Sequence, residues 1–239
     1  MHPINLQPKF LRHNLRKRAI FWYLASLLVM SMGTIMAARY YPGGFDWLYT
    51  VASALASKKH NPMGSTWFSS ALIAAMVLLW PYVSALKRGL YPTTSITIKF
   101  SVEALRIGLI CGALLGVERL LIYDLSSWVN KAHELIGFIS FMGLYIGILG
   151  LLIQVMLRHR IFTLPVLLIL IPLIAIGITH IMLYFDQRNL GWVDTSWRDM
   201  GIPIWLSFAF WQWLAMGFLW IGLGLLSFSC IKDDEDIKQ

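Results

Sequence analysis

Charge is what this sequence has least of. Only 13% of its 239 residues are Asp, Glu, Lys or Arg, where a soluble domain carries about a quarter. That deficit, with 58% hydrophobic residues and a mean hydropathy of +0.65, excludes a water-soluble globular domain and predicts an integral membrane protein. Cysteine is nearly missing too. Cys111 and Cys230 fall within or at the end of apolar runs, which excludes a disulfide framework. No internal repeat is visible, and the mid-membrane parts of the apolar runs hold no acidic residue. That absence argues against a channel or an ion-coupled transporter, which need ionisable groups at that depth.

Six apolar runs are present, each close to the ~20 residues that cross a bilayer core. They cover about 19–38, 67–86, 96–117, 132–157, 161–185 and 204–229. The expected fold is therefore all-α: a polytopic six-transmembrane-helix bundle forming a single membrane domain over 1–239. A basic tail (1–18) precedes it and an acidic tail (230–239) follows. The first run succeeds a basic start as a signal peptide would, but it is too long for a cleaved segment and reads as a retained helix.

The net charge of +8 reads as a topology signal, because no basic patch with interleaved aromatics of the nucleic-acid-binding kind occurs. Lys and Arg are more numerous in the tails and in the flanks holding Lys87, Arg88, Arg158 and Arg160 than in those holding Arg39, Lys58, Lys59, Arg119, Lys131, Arg188 and Arg198. The positive-inside rule then puts both termini in the cytoplasm of a bacterial inner membrane. Lys99, Glu103 and Arg106, at helical spacing, can neutralise one another on the inner side. Trp and Tyr residues at the outer ends form the expected interfacial belt.

Between the first two runs, Tyr41–Phe68 is patterned. Trp47, Leu48, Val51, Ala52 and Leu55 recur at helical spacing after Pro42-Gly43-Gly44 and before Asn61-Pro62. An interfacial amphipathic helix near 45–57, a lid over the bundle, is the expectation. Small residues form two ridges: Ala104, Gly108, Gly112 and Gly116 on the third run, and Gly137, Ser140, Gly143, Gly147 and Gly150 on the fourth. Such ridges let helix backbones approach closely in lipid.

Polar residues gather in the outer half. His133 lies on the fourth ridge, Arg119 roughly on the third, and Glu118 beside Arg119. His180 stands six residues before Asp186, roughly 9 Å below the end of its span at the helical rise. Gln212 has a similar depth, and His60 follows the lid. Intramembrane ionisable groups are costly enough that a functional role is the default. Blander roles remain open: Gln212 as interhelical glue, and Glu118 with Arg119 as a surface ion pair. Three functional readings follow. In the first, His133, His180, Arg119, Glu118 and Gln212, with Asp46 and Ser53 anchoring the lid, line a polar pocket for a lipid headgroup or similar amphiphile. In the second, His133, His180 and His60 hold zinc, with Glu118 as ligand or base, in an intramembrane hydrolase, although no HExxH or HxxxH spacing occurs. In the third, His133 and His180 ligate a haem, although the four-histidine arrangement of transmembrane electron transfer is missing. An accessory subunit docked through its glycine ridges is a further alternative. Membrane lipids and other membrane subunits are the expected partners.

Pro42, Gly43, Phe45, Asp46, Ser53, Leu55 and Asn61-Pro62, with AHELIGFISFMGLYIG from Ala132, resemble the layout of a bacterial family of six-span membrane proteins called domain-of-unknown-function family 998. Ala56 stands where that family has glycine. The family is distantly grouped with eukaryotic proteins that remodel GPI-anchor lipids, modulate autophagy or organise phosphoinositide kinases. The resemblance implies six helices and a lipid-related role, with no defined chemistry.

Overall fold

The computed structural model describes residues 9–90, 95–121, 127–187, 204 and 207–229. Among these the chain forms seven α-helices and no strand: α1 (Lys9–Arg39), α2 (Ala52–Ala56), α3 (Ser65–Leu90), α4 (Ile96–Leu121), α5 (Ser127–Arg158), α6 (Thr163–Gln187) and α7 (Phe208–Ser229). A 3-10 turn, Arg160–Phe162, leads from α5 into α6. All but α2 are long and apolar enough to cross a membrane, so the six-span all-α bundle expected from the sequence is the fold observed. Helical hydrogen bonding does not stop where hydrophobicity does, so α1 begins at Lys9, well inside the stretch expected as a basic tail, and α3, α4 and α5 overrun their apolar runs by a few residues. α7 starts later than the expected 204 because Ser207 caps it, its Oγ accepting from the Phe210 N–H at 3.3 Å. Helices α3 and α6 run unbroken through Pro81 and Pro172. Residues 1–8, the acidic tail (230–239) and the segment holding Trp192, Trp197 and Arg198 lie outside the described residues.

The helices form a ring in which α1 packs on α3, α3 on α4, α4 on α5, α5 on α6, α6 on α7 and α7 back on α1. Contact of α5 with α7 closes the middle. Phe21, Leu24, Leu28, Met32 and Ile35 of α1, and Leu164, Leu168, Ile171 and Ile178 of α6, are exposed. At this depth they meet acyl chains, not water. The core is built from Leu79, Tyr82, Leu86, Leu105, Ile148, Leu151, Leu152, Leu173 and Leu226.

Two tyrosines tie this core to the backbone of α7. Tyr82 donates to the Leu223 carbonyl at 2.6 Å and Tyr23 to the Trp220 carbonyl at 3.1 Å. Tyr82→Phe is expected to lower stability by about 1 kcal/mol, the net value of such a bond, because the Leu223 carbonyl keeps Ser227 Oγ as a donor at 3.0 Å. Thermal unfolding in detergent measures it.

The small-residue ridges of α4 and α5 pack on each other as an antiparallel zipper. Ser101 faces Gly150, Leu105 faces Gly147, Gly108 faces Gly143, Gly112 faces Ser140 and Leu115 faces Gly137. Ser140 Oγ donates to the Gly108 carbonyl at 2.9 Å. Gly112 and Gly116 also admit Met76 and Ile73 of α3, so one ridge seats two neighbours.

Candidate functional site

The zipper's last rung is polar. One turn beyond Leu115 and Gly137, Glu118 and His133 meet, with 2.8 Å between Glu118 Oε2 and His133 Nδ1. A carboxylate can only accept, so Nδ1 carries the proton of this bond. Arg119 Nε lies 3.5 Å from the same oxygen. The Glu118 and Arg119 side chains are only 9% and 13% exposed, so they are not the surface ion pair the sequence also allowed. A carboxylate is costly to bury, and the two basic neighbours offset that cost. Two atoms stay unsatisfied: Glu118 Oε1 and Arg119 Nε are buried without a hydrogen-bond partner. On α3, which packs against this part of α4 through Gly116, Ser65 Oγ and Ser69 Oγ are likewise buried and unpartnered.

The segment above is a fixed cap. Gly43 and Gly44 take positive φ (75° and 90°), a conformation that glycine adopts without strain, and the Gly44 N–H closes a turn on the Tyr41 carbonyl at 3.1 Å. Asp46 Oδ1 accepts from the Leu48 and Tyr49 N–H groups at 2.9 and 3.3 Å. This caps a single turn, closed by the Thr50 N–H on the Asp46 carbonyl at 2.9 Å, and the chain is extended at Val51, so only the five residues Ala52–Ala56 of the expected 45–57 helix form an α-helix. α2 packs one face on the bundle: Ala52, Leu55 and Ala56 are buried against α1, α3 and α7.

Helix α7 clamps the cap from the side. Gln212 Oε1 accepts from the Ala52 N–H at 2.9 Å, Trp213 Nε1 donates to the Thr50 carbonyl at 3.0 Å, and Ser207 Oγ donates to the Leu48 carbonyl. The rings of Phe45, Trp47 and Trp213 meet edge to face at 4.8–5.8 Å. Gln212 is thus glue to the cap, as the sequence allowed. Asp46 orders its own turn and does not reach into the bundle, and Ser53 is exposed. Lys58 Nζ donates to the Leu120 carbonyl at 3.2 Å, where an ammonium complements the C-terminal end of α4.

The sequence-derived candidates therefore separate. Glu118, Arg119 and His133 come together, with Lys58 on the adjoining helix end. Gln212, Asp46 and Ser53 belong to the cap. His60 is exposed and forms no metal-holding group with His133 and Glu118; among the described residues no three His, Cys, Asp or Glu side chains do so. The side chain of His180 lies outside the described residues. Sequence reading missed Lys58 and Asn61; the buried Asn61 joins the cap to α1 and α3, and its only local signal is the Asn-Pro step.

At the opposite end of α4, Glu103 Oε1 accepts from Arg106 Nη1 at 2.9 Å and from Lys87 Nζ of α3 at 3.4 Å. Lys99, expected as the second cation, is exposed, and α3 supplies that cation instead.

No family model, curated protein or solved structure matches this chain. Fold and site define its class: a multi-pass α-helical membrane protein with a buried acid–imidazole–guanidinium cluster at one end of the α4–α5 pair.

Proposed function

We propose that this protein binds a membrane amphiphile through the Glu118–Arg119–His133 cluster, which receives the polar head at the outer ends of α4 and α5 beneath the cap. The supporting observation is the pair of buried, unpartnered atoms, Glu118 Oε1 and Arg119 Nε, since buried polar groups ordinarily find partners and those that do not call for an explanation such as a ligand. A carboxylate beside a guanidinium suits a head with both ammonium and phosphate: the acid takes the cation and Arg119 the anion. Lys58, at the Leu120 carbonyl, adds a second positive charge nearby. In this reading both termini face the cytoplasm of a bacterial inner membrane, in keeping with the Lys/Arg bias, and the resemblance to family 998 and its lipid-related grouping points the same way.

The test is lipid analysis of the detergent-purified protein beside Glu118→Gln and His133→Leu. Both variants are expected to assemble, because glutamine keeps the shape and leucine keeps the volume. Both are expected to lose at least several-fold of the zwitterionic phospholipid retained by the wild type. Unchanged lipid content in two folded variants would overturn the proposal. Iron and zinc content of the same samples tests the metal reading, in which near-stoichiometric metal disappears with His133.

A further inference from the structure

Away from the Glu118 cluster, the lipid-facing side of the α4–α5 pair carries a groove of about 330 Å³. Phe100, Ala104 and Ile107 line it from α4, and Phe138, Met142 and Gly143 from α5. Its depth has a sequence cause. Ala104 and Gly143 carry too little bulk to fill the space between the exposed rings of Phe100 and Phe138, and the close approach that Gly143 permits fixes the floor. By the register of the zipper, the groove spans about 20 Å along α4 at the helical rise. That exceeds the ~15 Å half-thickness of a bilayer core. The volume lies within the ~300–1,000 Å³ of small-molecule sites, which are mostly apolar with a few placed polar groups.

The polar groups stand at one end. Glu103 lines the groove at the Phe100 level and holds Lys87 and Arg106. Arg106 stacks over the Trp80 ring, 5.6 Å from its centroid, and its Nε is buried without a hydrogen-bond partner. Two cations on one carboxylate leave a net positive charge, with Lys87 exposed enough (43%) to meet a ligand.

From this combination we infer that the α4–α5 groove is a binding site for one anionic glycerophospholipid, one acyl chain lying between Phe100 and Phe138 and the phosphate facing Lys87 and Arg106. An apolar slot of acyl length ending in a net positive triad matches an amphiphile with an anionic head. A zwitterionic head would bring its ammonium against the same two cations. This site is separate from the Glu118 cluster and stands without it.

The experiment reconstitutes the full chain in vesicles of equal phosphatidylglycerol and phosphatidylethanolamine, extracts it in mild detergent and counts retained lipid by native mass spectrometry. The wild type is expected to keep one phosphatidylglycerol. Ile107→Trp and Met142→Trp obstruct the groove from opposite walls without touching the zipper, and each is expected to lower the occupied fraction at least tenfold. Lys87→Gln is expected to retain a lipid and lose the preference for the anionic one. Glu118→Gln is expected to leave this retention unchanged, which separates the groove from the outer cluster. Equal retention in the wild type and in whichever obstructed variant folds would mean annular lipid only and would overturn the inference. So would finding that the lipid lost on obstructing the groove is phosphatidylethanolamine and not phosphatidylglycerol.

Discussion

Gly108→Ala is expected to disrupt the α4–α5 pair, although alanine ordinarily favours a helix over glycine by up to ~1 kcal/mol. A Cβ at position 108 would sit 2.6 Å from the Leu144 backbone nitrogen and 3.0 Å from the Gly143 carbonyl carbon. These are backbone atoms of the facing helix, so no rotamer change relieves the clash and the helices must separate. Separation would break the Ser140–Gly108 bond and draw Gly143, whose own Cβ would lie 2.7 Å from the Ala104 carbonyl oxygen, out of register. The cost is expected to exceed the ~1–3 kcal/mol of ordinary overpacking, because close contact is the main attraction between helices in lipid. Gly143→Ala should act alike. Gly217→Ala is the control, since a Cβ there meets nothing within 4 Å. Thermal unfolding and size-exclusion profiles in detergent measure all three. A Gly108→Ala protein as stable as Gly217→Ala would mean that the zipper does not hold the bundle.

These two helices also show how much of the fold is legible in the sequence. Spacing of three and four among Gly, Ala and Ser reports a helix face directly, so both ridges can be read from residue order alone. Glu118 and His133 are recognisable as polar groups near one end of their spans because depth along a helix follows from counting residues. Their direct contact follows from the register in which Gly108 faces Gly143, and nothing local encodes that register. The cap shows the opposite case. The apolar spacing around Trp47 to Leu55 reads as one long helix, but the chain is extended at Val51, and Ser207 and Trp213 take the carbonyls of Leu48 and Thr50. Partners 160 or so positions away leave no periodic trace. The lipid-facing groove is illegible for the same reason: Ala104 and Gly143 read as packing residues, and only the pairing of the two helices sets them between Phe100 and Phe138 as a floor.

Asn61→Leu is expected to release the cap and to lower stability by several kcal/mol. Asn61 is fully buried, and its amide is shared among three elements. Nδ2 donates to the Ala37 carbonyl near the end of α1 at 2.9 Å and to the Leu55 carbonyl in α2 at 3.2 Å. Oδ1 accepts from the Gly64 N–H just before α3 at 3.0 Å. Leucine fills a similar volume and leaves that buried N–H without a partner, with the two carbonyls each losing one. An unsatisfied buried group costs about 1–3 kcal/mol, and three act together. Asn61→Asp separates the two halves of the interaction, because it keeps an acceptor for Gly64 and replaces the donor with a charge facing two carbonyls. It is expected to be at least as damaging as leucine. Limited proteolysis within 41–64 reads the cap directly, since the wild-type segment is held by α7 and should resist cleavage. Rapid cleavage in Asn61→Leu with an intact bundle would make Asn61 the latch of the cap. Loss of the whole fold would make the cap part of the cooperative core, and resistance equal to the wild type would mean that Gln212, Trp213 and Ser207 suffice without it.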